Sequence, residues 1–130
     1  MTILPITLCA VAAAAAINIW LSMRIGMVRS ARKISIGDGG DADLICRMRA
    51  QANFIENTPI VLVMIAVIEL ARTGTPYLTG VTALYMLSRV AHGIGMDGGK
   101  LGSLRTVGTL ITMLTLLGLG VWAVSIALDM

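Results

Sequence analysis

Charge is scarce in this sequence. Asp, Glu, Lys and Arg make up 13% of its 130 residues against 57% hydrophobic ones, and the mean hydropathy is +0.88. That balance excludes an ordinary soluble domain and predicts an integral membrane protein with a single domain over residues 1–130. Aromatic residues are few at 4%, and the modest net charge of +3 is bunched from Arg24 to Arg49, so no basic face interleaved with aromatics exists for nucleic acid. With one histidine, and with Cys9 and Cys46 lacking ligand spacing, a metal site is not expected. The two cysteines fall at opposite ends of the first predicted hairpin, too far apart for a disulfide, and are expected as small buried hydrophobes. No basic residue precedes Arg24, so the charged start of a signal peptide is missing and the first segment is expected to be retained as a helix.

Four apolar runs are present. Ile3 to Met23 is uncharged and its apolar character persists to Val28, enough for the roughly 20 helical residues that cross a bilayer. Arg24, Arg29, Arg32 and Lys33 are expected to mark the membrane surface, and the turn-forming stretch Ile36 to Asp43 offers Asp41 or Asp43 as an N-cap. Helix two is predicted from Leu44 to Arg72 with a kink at Pro59 inside it, helix three from Pro76 to about Met96, and helix four from Leu104 to Leu128. In the fourth, Gly108, Thr112 and Thr115 have the small size that lets membrane helices approach closely. The fold class is therefore all-α, a membrane four-helix bundle. Basic residues concentrate in the first and third loops, which predicts that these face the cytoplasm, here of a bacterial inner membrane, and that both termini lie outside.

Against this background the stretch RAQANFIENTP from Arg49 to Pro59 stands out. Arg49, Asn53 and Glu56 follow at i, i+4 and i+7 and project from one helix face. Polar groups in hydrocarbon are costly unless they face a protein interior, a partner or a wet cavity, so the stripe predicts a site. Tyr85, Arg89, His92 and Met96 form a second single-faced series on helix three. Arg49, Arg89 and Arg105 all lie within about 12 Å of the cytoplasmic surface, with Glu56 expected as the only buried anion among them. Three guanidiniums at one depth suit a small zwitterion of net negative charge, and a thiol ligand would gain further because a nearby arginine favours its thiolate. The bland reading of the stripe is a satisfied polar network holding the bundle together; for Arg105 it is a residue snorkelling at a helix end. Glu69 and Arg72 are expected at the outer interface, Trp20 and Trp122 at the membrane edges, and Tyr85 in packing.

The run R-x-x-x-N-x-x-E-x-x-P at Arg49 to Pro59, with RVAH at Arg89 to His92 and LRT at Leu104 to Thr106, resembles the family of membrane-associated proteins in eicosanoid and glutathione metabolism, the MAPEG family. The short chain and the GDGG turn at Gly37 to Gly40 look most like its short bacterial branch, similar to microsomal glutathione transferases. The resemblance implies a homotrimer with glutathione held between neighbouring subunits. It implies glutathione contacts for Arg49, Asn53, Glu56, Arg89 and His92, and a contact from Arg29 of an adjacent subunit. Arg105 matches the arginine credited with stabilising the thiolate, and Thr106 a hydroxyl at the sulfur. Ala52, Met96 and Thr109 stand where some members carry an arginine and two tyrosines. The implied activity is a glutathione-dependent transferase or peroxidase acting on hydrophobic electrophiles or lipid hydroperoxides that arrive through the membrane lipids. The alternative is a non-catalytic lipid-binding or scaffold protein of the same fold. A small four-helix exporter ranks last, since such proteins place a carboxylate in the first helix and none is present here.

Overall fold

The computed structural model describes residues 3–72 and 75–129, and among these it is all helix and turn. Helix α1 spans Pro5–Arg32, α2 Ala42–Arg72, α3 Pro76–Gly95 and α4 Ser103–Leu128, with one 3-10 turn at Gly99–Leu101 before α4. At 1.5 Å per residue α3 is about 30 Å long and the others longer, all sufficient for a bilayer core. α1, α2 and the segment Gly99–Leu128 are also apolar enough to cross a membrane. α3 is less apolar because its inward face carries Thr82, Tyr85, Ser88, Arg89 and His92, all buried.

The ends follow from local chemistry. Asp41 Oδ1 accepts from Leu44 N at 2.9 Å and caps α2, two residues earlier than the predicted start. Thr75 Oγ1 accepts from Leu78 N at 3.2 Å and caps α3, whose first residue is Pro76. The predicted connection at Thr73 and Gly74 lies outside the described residues. α2 runs without interruption through Pro59.

α3 packs most extensively on α4 and α1 on α2, while α1 and α4 touch at most marginally. Small residues permit the α3–α4 approach. A Cβ on Gly108 would come within 2.6 Å of His92 Cβ and 2.7 Å of the Ser88 carbonyl oxygen. Together with buried Thr112 and Thr115 this is the predicted close-packing stripe. The core joins Ala14, Ile17, Phe54, Val61, Ile65, Leu78, Tyr85 and Leu119 from all four helices. Tyr85 is fully buried and its hydroxyl lies 2.9 Å from Thr58 Oγ1, consistent with the packing role expected of it. The outer surface is greasy, with Leu87, Leu110, Leu117 and Val121 among its exposed side chains.

Three expectations are corrected. Glu69 lies at the end of the bundle but is buried rather than facing the interface: it is 2% exposed, and its carboxylate accepts from Ile6 N at 2.9 Å and from Thr7 N and Thr7 Oγ1 at 2.8 and 2.7 Å. It caps the start of α1 from the last turn of α2, where amides without helical partners and the positive end of the dipole attract an anion. Arg24 does not mark the surface. It is 6% exposed, lies over the Trp20 ring at 4.7 Å, donates to the Gly93 carbonyl at 2.8 Å and pairs with Asp97. Cys9 is exposed, because it falls on the outer side of α1, and Cys46 is half-buried; both are free thiols.

Candidate functional site

Arg89 is the centre of the polar interior. It projects from the inward face of α3, is 1% exposed, and reaches two other helices. Its Nη1 donates to Thr112 Oγ1 of α4 at 2.7 Å and its Nη2 to Asn53 Oδ1 of α2 at 2.6 Å. Nη2 also lies 3.5 Å from His92 Nδ1, which accepts if the ring proton is on Nε2. Its Nε is buried and, among the described residues, without a partner. No carboxylate lies within ion-pairing distance of Arg89 among those residues, so a buried positive charge is held by neutral acceptors alone. An unbalanced buried cation of this kind is costly, which is the mark of a group kept for an anion supplied from elsewhere.

His92 connects this interior to the surface. With Arg105, Thr106, Thr109, Leu110 and Met113 it lines an open cavity of about 400 Å³ on α3 and α4. Arg105 and Thr106, in the first turn of α4, are exposed there. Thr109 lines the same cavity, with its hydroxyl donating to the Arg105 carbonyl at 2.9 Å. Met96 packs half-buried against the core.

The structure thus brings Asn53, Arg89 and His92 into one network and His92, Arg105 and Thr106 into one cavity. Arg49 and Glu56 share the Asn53 stripe but are exposed on the outer side of α2, and neither is ion-paired among the described residues. Glu56 is therefore not the buried anion the sequence suggested; the buried carboxylate is Glu69, on the last turn of α2. Arg29 meets α2 of its own chain, with Nη2 3.6 Å from Met48 Sδ and Nη1 buried and, among the described residues, without a partner. No cluster of three or more metal-ligating side chains occurs among the described residues.

Sequence reasoning passed over three contributors. Thr112 was read as small, yet its hydroxyl accepts from Arg89 while donating to the Gly108 carbonyl at 2.8 Å. Gln51, inside the RAQANFIENTP motif, donates to Ser22 Oγ at 2.6 Å and Asn18 Oδ1 at 3.2 Å, joining α1 to α2. Asp97 stands at the head of the glycine-rich stretch DGGKLGS, where its surroundings in the sequence suggest only a loop. Its one available signal was that it is among only seven acidic residues in the chain.

The family model for the MAPEG family matches residues 7–125, nearly the whole chain. The protein belongs to the MAPEG family. As a MAPEG protein with three helices long and apolar enough to span, it is an integral membrane protein. No curated protein sequence matches it. MAPEG proteins use glutathione as cosubstrate, and membership supports a glutathione-related, transferase- or peroxidase-type function at the membrane.

Proposed function

We propose that this MAPEG protein is a glutathione-dependent transferase or peroxidase, and that its ligand site is completed by neighbouring subunits of a homotrimer. The observation that carries the reading is the set of unbalanced charges: Arg89 inside the bundle, and Arg49, Arg105 and Glu56 exposed, none ion-paired among the described residues. Glutathione carries two carboxylates and an ammonium, and this inventory of guanidiniums and one carboxylate matches it in sign. The buried, partnerless Nε of Arg89 is a donor with capacity to spare.

In this reading Arg49, Asn53, Arg89 and His92 hold the carboxylates and peptide groups, and Glu56 receives the ammonium. Arg29 comes from the adjacent subunit, because within one chain α1 barely touches α4. Arg105 stabilises the sulfur anion and Thr106 donates a hydrogen bond to it. The thiolate then forms a carbon–sulfur bond with a hydrophobic electrophile as that carbon's leaving group departs, or takes the terminal oxygen of a lipid hydroperoxide, breaking the O–O bond to release the lipid alcohol once protonated and leaving glutathione sulfenic acid. A second glutathione converts that acid to the disulfide and water. Either acceptor reaches an open cavity walled by Leu110 and Met113 through the membrane lipids. The whole chain acts as one four-helix unit, with the site facing the cytoplasm of a bacterial inner membrane.

The observation favouring a non-catalytic lipid-binding or scaffold role is Thr109, whose hydroxyl is spent on the helix backbone. The deciding experiment is an ultraviolet titration of thiolate formation by the detergent-purified protein. We expect a thiolate signal with proton release, and its loss in Arg105→Leu with the oligomer intact. No signal at saturating glutathione overturns the enzyme reading.

A further inference from the structure

On the far side of α3 from the candidate cavity, Arg24 and Asp97 form a junction among three helices. The Arg24 guanidinium is clamped between the Trp20 ring, the Gly93 carbonyl and Asp97, the second residue beyond α3. Arg47 of α2 adds Nε at 3.7 Å from Asp97 Oδ1 and Nη1 donating to the Arg24 carbonyl at 3.3 Å. Gly93 seats the end of α3 against α1, since a Cβ there would come within 2.8 Å of the Trp20 ring. On its opposite side the same end of α3 abuts α4. A Cβ on Gly95 would collide with the Arg105 backbone nitrogen and sit 2.7 Å from the Leu104 carbonyl carbon.

The chain between these fixed points is a glycine-rich turn. Gly98 and Gly99, with φ of +77° and +64°, sit in the left-handed region that glycine adopts freely, and no neighbouring atom lies within 4 Å of where their Cβ would be. The turn carries backbone hydrogen bonds from Gly98 N to the Gly95 carbonyl, from Gly102 N to the Gly99 carbonyl and from Arg105 N to the Gly102 carbonyl, each at 3.2 Å, and Asp97 is the side-chain anchor that ties it to α1 and α2. Arginine's planar fork suits the task, because it can bind a carbonyl and a carboxylate at once.

We propose that the Arg24–Asp97 pair is a tether that positions Arg105: it ties the end of α3 and the following turn to α1 and α2, and so fixes the depth and direction of the α4 first turn. Its consequence for thiol chemistry rests on the role given to Arg105 above; its consequence for the turn does not. Arg24 and Asp97 are positioning residues.

The test compares Asp97→Asn, Asp97→Glu and the double variant R24M/D97N with the unmodified protein in detergent. The double variant removes both members of the buried pair and leaves only the partly exposed Arg47 without its carboxylate. Amide hydrogen exchange is the first readout. We expect it to quicken by about tenfold or more from Gly98 to Thr106 in Asp97→Asn and the double variant, with the middle of each helix unchanged and Asp97→Glu close to the unmodified protein. The second readout is the thiolate titration, expected to move up by about one pH unit, a tenfold fall in thiolate below the midpoint, in the same two variants. Unchanged exchange from Gly98 to Thr106 overturns the tether, as does an equal rise in all four helices, which would make the pair a general structural contact. A shift in exchange without a shift in the thiolate midpoint overturns its link to Arg105. If the unmodified protein itself forms no thiolate, the functional reading fails while the exchange comparison still decides the tether.

Discussion

The Arg89 guanidinium donates to the Asn53 carboxamide oxygen at 2.6 Å, so the second and third helices are joined in the bundle interior by a cation and a neutral acceptor. A structural ion pair would have placed a carboxylate there. An amide satisfies the donor geometry and leaves the charge unbalanced.

That relationship separates function from folding. A buried charge held by neutral groups gains less than it loses in desolvation, so Arg89→Leu should leave stability unchanged or raise it. The same variant should weaken glutathione binding by about tenfold or more, the worth of one charge-assisted hydrogen bond. Calorimetric binding beside thermal unfolding in detergent checks both. A variant that unfolds would reduce Arg89 to a structural residue.

Glu69 gives the opposite expectation. Its carboxylate accepts three hydrogen bonds from the first turn of α1, so Glu69→Ala should cost about 2 to 3 kcal/mol through the orphaned amides and the lost charge at the helix start. Glutathione affinity should not change once the protein is folded. An unaltered unfolding midpoint would show that the cap contributes nothing.

The helical glycines divide sharply. Gly108→Ala must push against His92 and the Ser88 carbonyl and should destabilise by about 1 to 3 kcal/mol. Gly118→Ala meets nothing within 4 Å and should stabilise by up to about 1 kcal/mol, since alanine is the better helix former. Unfolding midpoints of the two variants, measured side by side, should move in opposite directions.

Assembly is open to a direct measurement. Native mass spectrometry from mild detergent should give a trimer, and mixing Arg29→Ala subunits with Arg105→Leu subunits should restore part of the thiolate signal in mixed trimers, because a junction that takes Arg29 from the second kind of subunit and Arg105 from the first is intact, while both defects fall together at another. A monomer, or no recovery on mixing, would remove the site shared between subunits.

The uncharged runs, the cap at Asp41 and the packing stripe Gly108, Thr112, Thr115 were legible in the residues, because helix length, capping and close approach depend on neighbours within a turn or two. So was the inward face of Tyr85, Arg89 and His92, which spacing alone aligns. Which polar group answers which was decided by tertiary structure. Glu69 caps a helix start 62 and 63 positions away in the chain, Arg24 meets Asp97 across 73, and Arg89 finds Thr112 rather than a carboxylate. Helical periodicity gives a side chain its direction about its own axis but carries no information about the rotation and depth of another helix. Those come from how the four helices pack, and with them came the exposure of Glu56 and the burial of Arg24.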